Sequence, residues 1–283
     1  MDIAQSLITG VVQGLTEFLP VSSTGHIVLA SSLYQHLTGH AINTGSNEEI
    51  FFDIMIHMGT LMAVFVYFWS DIVKLIKVFF KSISSKTFKE TKEAHIPVYI
   101  ILGTFASAVI ALLFKDYFEA DMDKPAIVGL QIIATGVLLF ATEYMSTRIK
   151  NVKNELTWIK SLIIGLAQGI AISPGISRSG TTIAAGLATG MDRVSAARFS
   201  FLLSIPIIVL AAISDTLDKV KDISAFASYN WTAIILGTIA SGIVGYYCIK
   251  YFLIYLSNNK LNGFAVYCCI IGLFMYIYFG FFV

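Results

Sequence analysis

A carboxylate, three hydroxyls and an imidazole stand within ten residues near the start of the chain. They are Glu17, Ser22, Ser23, Thr24 and His26, in the run Gln13-Gly-Leu-Thr-Glu-Phe-Leu-Pro-Val-Ser-Ser-Thr-Gly-His26. Gln13 and Glu17 are four residues apart and share one helix face. There Glu17 has two readings: it ligates a divalent cation that also bridges phosphate oxygens, with Gln13 as a neutral helper, or it orients or deprotonates His26. Ser22, Ser23 and Thr24 sit where a helix needs an N-cap, so capping explains any one of them. Three in a row before Gly25-His26 exceed that need, and Ser23 is the candidate nucleophile, activated by His26.

A second constellation lies far along the chain, Pro174-Gly175-Ile176-Ser177-Arg178-Ser179-Gly180. A guanidinium in apolar surroundings demands an anion, and its planar fork suits phosphate oxygens. Ser177, Ser179 and Gly180 precede an apolar stretch that includes Thr182. Backbone N–H groups at a helix start form a phosphate cradle. The plainer alternative is that Arg178 pairs with Glu17 only to hold two segments together. Elsewhere His57 and Asp53 suit packing, His36, His40 and His95 fall in loops, and Arg193 and Arg198 suit a membrane boundary.

The elements that must position these residues are apolar helices. Of 283 residues, 56% are hydrophobic and 13% charged, about half the roughly 25% charged share of soluble domains. The mean hydropathy is +0.77. Long unbroken apolar runs indicate an all-α polytopic membrane protein rather than a β-barrel. Cys248, Cys268 and Cys269 all lie inside apolar runs, which suggests packing rather than disulfides or metal binding. The start of the chain has no basic stretch, which argues against a cleaved signal peptide.

The first half, 1–150, reads as a broken hairpin over about 3–34 and spans over about 51–69, 98–114 and 126–145. The second half, 151–283, reads as a broken hairpin over about 161–190 and spans over about 199–213, 231–255 and 264–283. Pro20 and the 174–180 stretch interrupt the hairpins, whose arms are too short for a membrane needing roughly 20 helical residues. The halves also match in sequence. Gly10, Gln13, Gly14, Ser22 and Gly25 recur as Gly165, Gln168, Gly169, Ser177 and Gly180, each 155 positions on. Ile101–Ser107 recurs as Ile235–Ser241 with six of seven residues identical, 134 positions on.

These matches indicate a duplication, and one hairpin plus three spans per half reverses the second half. The fold expected is an inverted-topology repeat whose two re-entrant tips meet inside the membrane. The Lys-rich loop 71–96 and the basic linker 146–160 should be cytoplasmic and the acidic turn 115–125 external, with both termini outside. The acid–alcohol–imidazole cluster should then face Arg178 across a gap the size of a diphosphate.

Together, Gln13-x-x-x-Glu17-Phe-Leu-Pro-Val-Ser-Ser-Thr-Gly-His26 and Pro174-Gly-Ile-Ser-Arg-Ser-Gly-x-Thr182 resemble the bacterial undecaprenyl-diphosphate phosphatase family, also called bacitracin-resistance proteins. The similarity runs end to end and includes Phe199-Ser-Phe-Leu-Leu. The resemblance implies hydrolysis of undecaprenyl diphosphate to undecaprenyl phosphate and inorganic phosphate, recycling the cell-wall lipid carrier. It implies a divalent cation, Mg²⁺ or Ca²⁺, and a site opening to the external face of the bacterial inner membrane. By position, Glu17, Ser23, His26 and Arg178 match the family's catalytic residues, and Ser22, Thr24, Ser177, Ser179, Gly180 and Thr182 its phosphate-binding ones. The family's usual Glu-x-x-x-Glu begins here with Gln13, which weakens a two-carboxylate metal site. Ser173 stands where relatives often carry an aromatic.

The partners expected are a polyprenyl diphosphate and membrane lipids, with no nucleic acid; a homodimer is left open. A transporter or flippase of a polyprenyl phosphate is the alternative function, since broken inverted repeats are common in transporters. An acyl hydrolase using Ser23 and His26 ranks last, because it gives Arg178 no anion.

Overall fold

The computed structural model describes residues 2–38, 46–119, 121, 124–148, 155–219 and 223–282. Among these residues all regular structure is helical. Four helices are short: α1 (Ile3–Thr16), α2 (Ser23–Thr38), α7 (Trp158–Ile170) and α8 (Arg178–Ala188). Six are long and apolar enough to cross a membrane: α3 (Asn47–Tyr67), α5 (Ile96–Glu119), α6 (Pro125–Ser146), α9 (Arg193–Lys219), α10 (Trp231–Asn258) and α11 (Asn262–Phe281). They overlap the six apolar runs of the sequence, with α9 starting six residues earlier and ending six later than its run and α3 and α11 ending two residues early.

One element differs from expectation. The Lys-rich stretch read as a loop contains a further helix, α4 (Trp69–Ser84), and a 3₁₀ turn at Lys92–His95. Its lysines lowered the apolar signal, although apolar residues still recur at helical spacing. The acidic turn also shrinks, because α5 runs on to Glu119. His40, Lys150 and Lys153 lie outside the described residues.

Side-chain contacts define the two ends of the bundle. At one, Glu48 accepts from the Asn230 N–H (2.7 Å) and Phe51 packs on Trp231. At the other, Asp71 pairs with Arg198 (2.9 Å) and Lys92 with Glu155. Here too Arg193 grips the buried Glu143 with two bonds (2.8 and 2.5 Å), and the Leu261 N–H adds a third (2.9 Å). Arg193 and Arg198 thus tie α9 to its neighbours at this end.

α1 enters from the first end and α2 returns to it, His36 meeting Tyr278 there. α7 enters from the second end, where Ser161 bonds the Tyr99 carbonyl, and α8 returns toward Arg193. Their inner ends meet inside the bundle.

The short helices enter because glycines let backbones touch. α1 packs along α10 and α7 along α5. A Cβ on Gly10 would lie 2.2 Å from the Gly237 oxygen, and one on Gly165 would lie 2.3 Å from the Gly103 oxygen. Backbone cannot swing aside as a side chain can. We expect Gly10→Ala or Gly165→Ala to destabilise the fold by about 3 kcal/mol, read as a lower melting temperature in detergent. Gly263→Ala is the control, since its Cβ would meet nothing nearer than the Tyr255 hydroxyl at 3.7 Å. Equal melting temperatures for all three variants would refute the close approach.

Candidate active site

The first tip is built by a sharp change of direction. α1 ends at Thr16, Glu17 is its C-cap, and Pro20 prevents the helix continuing. Phe18 is fully buried and meets Phe201 edge to face at 5.3 Å, which anchors the chain beside Glu17. Ser22 then takes φ 71°, a left-handed conformation costing a non-glycine residue about 1–2 kcal/mol. Its hydroxyl donates to the Pro174 carbonyl (2.7 Å) and accepts from the Gly25 N–H (3.1 Å). That strained, tied-down turn delivers Ser23 as the first residue of α2.

The second tip repeats the device. Ser177 caps α8, accepting from the Gly180 N–H at 3.0 Å. Its own N–H bonds Thr135, and the Gly175 N–H bonds Gln131 (2.8 Å), fastening the loop to α6. The Ser179 hydroxyl reaches across to the Leu19 carbonyl (2.9 Å). Thr182 bonds Ser200 (2.6 Å), so adjacent residues of Phe199-Ser-Phe-Leu-Leu brace both tips: Phe201 the first, Ser200 the second.

Between them lies a continuous polar chain. Ser23 donates its hydroxyl proton to Glu17 Oε2 at 2.6 Å, and Gln13 Nε2 donates to the same oxygen at 3.0 Å. Arg178 donates to the other oxygen, Oε1, at 2.6 Å. The Glu17 side chain is 6% exposed and that of Arg178 is 19%. Among the described residues this is the one hydrogen bond its guanidinium makes, so the rest of the fork has no protein acceptor. The N-termini of α2 and α8 converge on the same place. Each leaves first-turn N–H groups unbonded within its helix, and each is the positive end of a dipole.

The two constellations therefore meet, with three differences from the sequence reading. The acid and the guanidinium touch, with no diphosphate-sized gap, because a buried arginine takes the nearest carboxylate within reach. His26 is brought near but is not bonded to Ser23 or Glu17. Its Nδ1 bonds the Ser22 carbonyl (2.7 Å) and its Nε2 the Tyr267 hydroxyl (2.7 Å), the two rings lying parallel at 5.6 Å. A carbonyl only accepts, so Nδ1 carries a proton, and in the neutral ring Nε2 accepts from Tyr267. The third difference is that the hydroxyls of Ser22, Ser177, Ser179 and Thr182 are all engaged within the protein. Thr24, half-buried at the start of α2, bonds no described side chain.

One contributor escaped the sequence reading. Tyr267 stands 241 positions from His26, beyond any local pattern. His57, weighed in the sequence as a packing residue, bonds the carbonyl of Asp53 on its own helix at 2.8 Å. Cys248 and Cys268 are free thiols whose Sγ atoms contact the Leu15 and Pro20 carbonyls.

A divalent cation fits beside Glu17 on one observation. Gln13 Oε1 is buried and has no hydrogen-bond partner, although its Nε2 touches the carboxylate. Amide and carboxylate oxygens suit Mg²⁺ or Ca²⁺. Among the described residues no cluster of three His, Cys, Asp or Glu side chains exists that could hold a metal unaided. Substrate oxygens would complete the coordination.

Comparison with known proteins shows the family. Residues 6–274 match the family model described as bacitracin resistance protein BacA. The chain is 40% identical over 282 residues to an undecaprenyl-diphosphatase of Halothermothrix orenii, covering 100% of both proteins. It is 39% identical to undecaprenyl-diphosphatase 2 of Stutzerimonas stutzeri and 38% identical to an undecaprenyl-diphosphatase of Methanosphaera stadtmanae, each over 96% of both chains. With a match over nearly its whole length and relatives of equal extent, the chain belongs to the bacitracin resistance protein BacA family.

Proposed function

We propose that this protein is a membrane phosphatase that hydrolyses undecaprenyl diphosphate to undecaprenyl phosphate and inorganic phosphate. The observation that carries the reading is the hydrogen-bonded chain Ser23–Glu17–Arg178. A hydroxyl on a carboxylate is a nucleophile beside its base, and the free side of the guanidinium fork is what a phosphoryl group needs. The names of the relatives supply the lipid. The proposed setting is the bacterial inner membrane, with the site open to the external face.

Two observations support a duplicated, inverted fold of halves 1–150 and 151–283. Gly10–Gly237 and Gly165–Gly103 are equivalent contacts under the offsets of 155 and 134 residues in the sequence. The two hairpins also enter from opposite ends of the bundle.

In the mechanism, Ser23 Oγ attacks the terminal phosphorus while its proton passes to Glu17. The bond to the bridging oxygen breaks, and undecaprenyl phosphate leaves as an anion. Water then attacks the phosphoserine and keeps its protons on the departing inorganic phosphate, while Glu17 returns its proton to Ser23 Oγ as the Ser23–phosphorus bond breaks. Arg178 and the N–H groups at the starts of α2 and α8 stabilise charge on the phosphoryl oxygens. Thr24 is the hydroxyl free to join them. His26 acts as a positioning residue: its Nδ1–H holds the carbonyl of the strained Ser22, which sets Ser23. A cation held by Glu17 and Gln13 would neutralise diphosphate charge.

Acid quenching during turnover should trap phosphate on Ser23, detectable by mass spectrometry. Ser23→Ala should lower phosphate release by about a thousandfold. Wild-type turnover by Ser23→Ala would sink the covalent step. EDTA should abolish turnover and Mg²⁺ or Ca²⁺ restore it; full activity in chelator would remove the cation from the proposal.

Tyr267→Phe tests the role of His26, because it keeps the ring and loses only the donated proton. We expect kcat to fall about tenfold, the scale of one lost hydrogen bond. ¹⁵N NMR of the imidazole should show the Nε2 resonance shifting as its donor is lost, while Nδ1–H stays on the Ser22 carbonyl. Unchanged kcat and an unchanged Nε2 resonance would leave Tyr267 without this role.

A further inference from the structure

α4 has three faces, and only one of them meets the protein. Ile72 and Leu75 pack on the main core, Phe79 meets Phe88 at 6.0 Å, and Asp71 pairs with Arg198. These residues fix how the helix is rotated about its axis. A second face, Trp69, Ile76, Phe80 and Ile83, is 49–65% exposed. At 100° per residue these four fall within one narrow sector. A third face, beside the second, carries Ser70, Lys74, Lys77 and Lys81 in a line. Where the two exposed faces meet, a shallow notch of about 440 Å³ is lined by Trp69, Ser70, Val73, Lys74, Lys77 and Val78.

We infer that α4 lies in the membrane surface and binds anionic phospholipid headgroups, with Trp69, Ile76, Phe80 and Ile83 in the acyl region and Lys74, Lys77 and Lys81 on the phosphates. Large apolar side chains flanked by a row of lysines are the makeup of an interfacial helix. The lysine stems run along apolar surface while their ammonium groups reach the headgroups. Charge selects which lipid binds. Lys74 shares its charge with Glu93 at 3.1 Å, whereas Lys77 and Lys81 stand exposed, and each lysine near an anionic surface adds to the attraction. A protein partner is disfavoured, because α4 follows directly on α3, a helix long and apolar enough to cross a membrane, and so begins where that span ends. The chemistry at Ser23 plays no part in this inference.

The test uses the intact protein with Trp158→Phe and Trp231→Phe, so that Trp69 is the sole tryptophan, in nanodiscs of mixed phosphatidylglycerol and phosphatidylcholine. One lipid or the other is brominated at equal mole fraction, and quenching of Trp69 is read. Brominated phosphatidylglycerol should quench roughly threefold or more strongly than brominated phosphatidylcholine, as expected for a few lysines at a charged surface. Lys74→Gln/Lys77→Gln/Lys81→Gln should abolish that preference while quenching by both lipids persists. Equal quenching by the two lipids in the unaltered lysine background would overturn the inference. So would a preference that survives the triple substitution. No quenching by either lipid, with Trp69 open to aqueous iodide or shielded by a protein contact, would place the helix off the membrane and also overturn it.

Discussion

Glu17→Gln lowers phosphate release from undecaprenyl diphosphate by about a thousandfold or more, the scale of a lost general base. The carboxylate receives three hydrogen bonds and donates none, from Ser23, Gln13 and Arg178. Glutamine has the same shape but turns one acceptor into a donor. If its NH₂ faces Ser23, the serine is made to accept and its proton has nowhere to go. If the NH₂ faces Arg178, two donors oppose each other and a mostly buried guanidinium loses its counter-charge. Neither orientation deprotonates Ser23, so the chemical step fails even where the fold survives. Glu17→Asp keeps the charge but withdraws it by one methylene, and its rate should fall between wild type and Glu17→Gln. The measurement is phosphate release by purified protein in detergent, with melting temperatures taken alongside. Glu17→Gln within tenfold of wild type would show that Ser23 is not activated by this carboxylate.

That Glu17 and Arg178 belong together was legible in the sequence because both break the pattern around them. A carboxylate and a guanidinium beside helix-breaking Pro20 and Gly175 are costly in an apolar chain, and the glycine matches between the halves paired the two segments. The six spans were legible because apolar runs of that length are unambiguous. Helix α4 was not, since interfacial helices mix lysine with apolar residues and resemble a basic loop in composition. The roles of the individual hydroxyls were not legible, for a different physical reason. Serine and threonine serve equally as caps, as cross-links and as phosphate ligands. Only geometry shows that Ser22 and Ser177 cap, that Ser179 ties to Leu19, and that Thr24 stays free. The bond from His26 to Tyr267 joins helices at opposite ends of the chain, and no spacing rule reaches that far.

Arg178→Lys separates a catalytic guanidinium from a merely structural one. If Arg178 serves only to neutralise Glu17, lysine preserves the charge and turnover should stay near wild type. If the fork also holds the transferred phosphoryl group, one ammonium cannot serve Glu17 and two phosphate oxygens together. We expect kcat to fall by about 10²- to 10³-fold, the effect of losing one charge-stabilising donor, with a smaller change in KM. Arg178→Ala should fall further and regain part of its rate with added guanidinium, since the cavity it leaves fits the missing group. The double variant Glu17→Gln/Arg178→Met completes the cycle. Breaking a buried ion pair by removing one partner costs about 3–5 kcal/mol, while replacing both partners with uncharged groups is often neutral. The double variant should therefore regain the melting temperature lost by either single variant and regain none of the turnover. Stability and catalysis recovering together would mean that the Glu17–Arg178 contact is a structural clasp and that the phosphoryl group is held elsewhere.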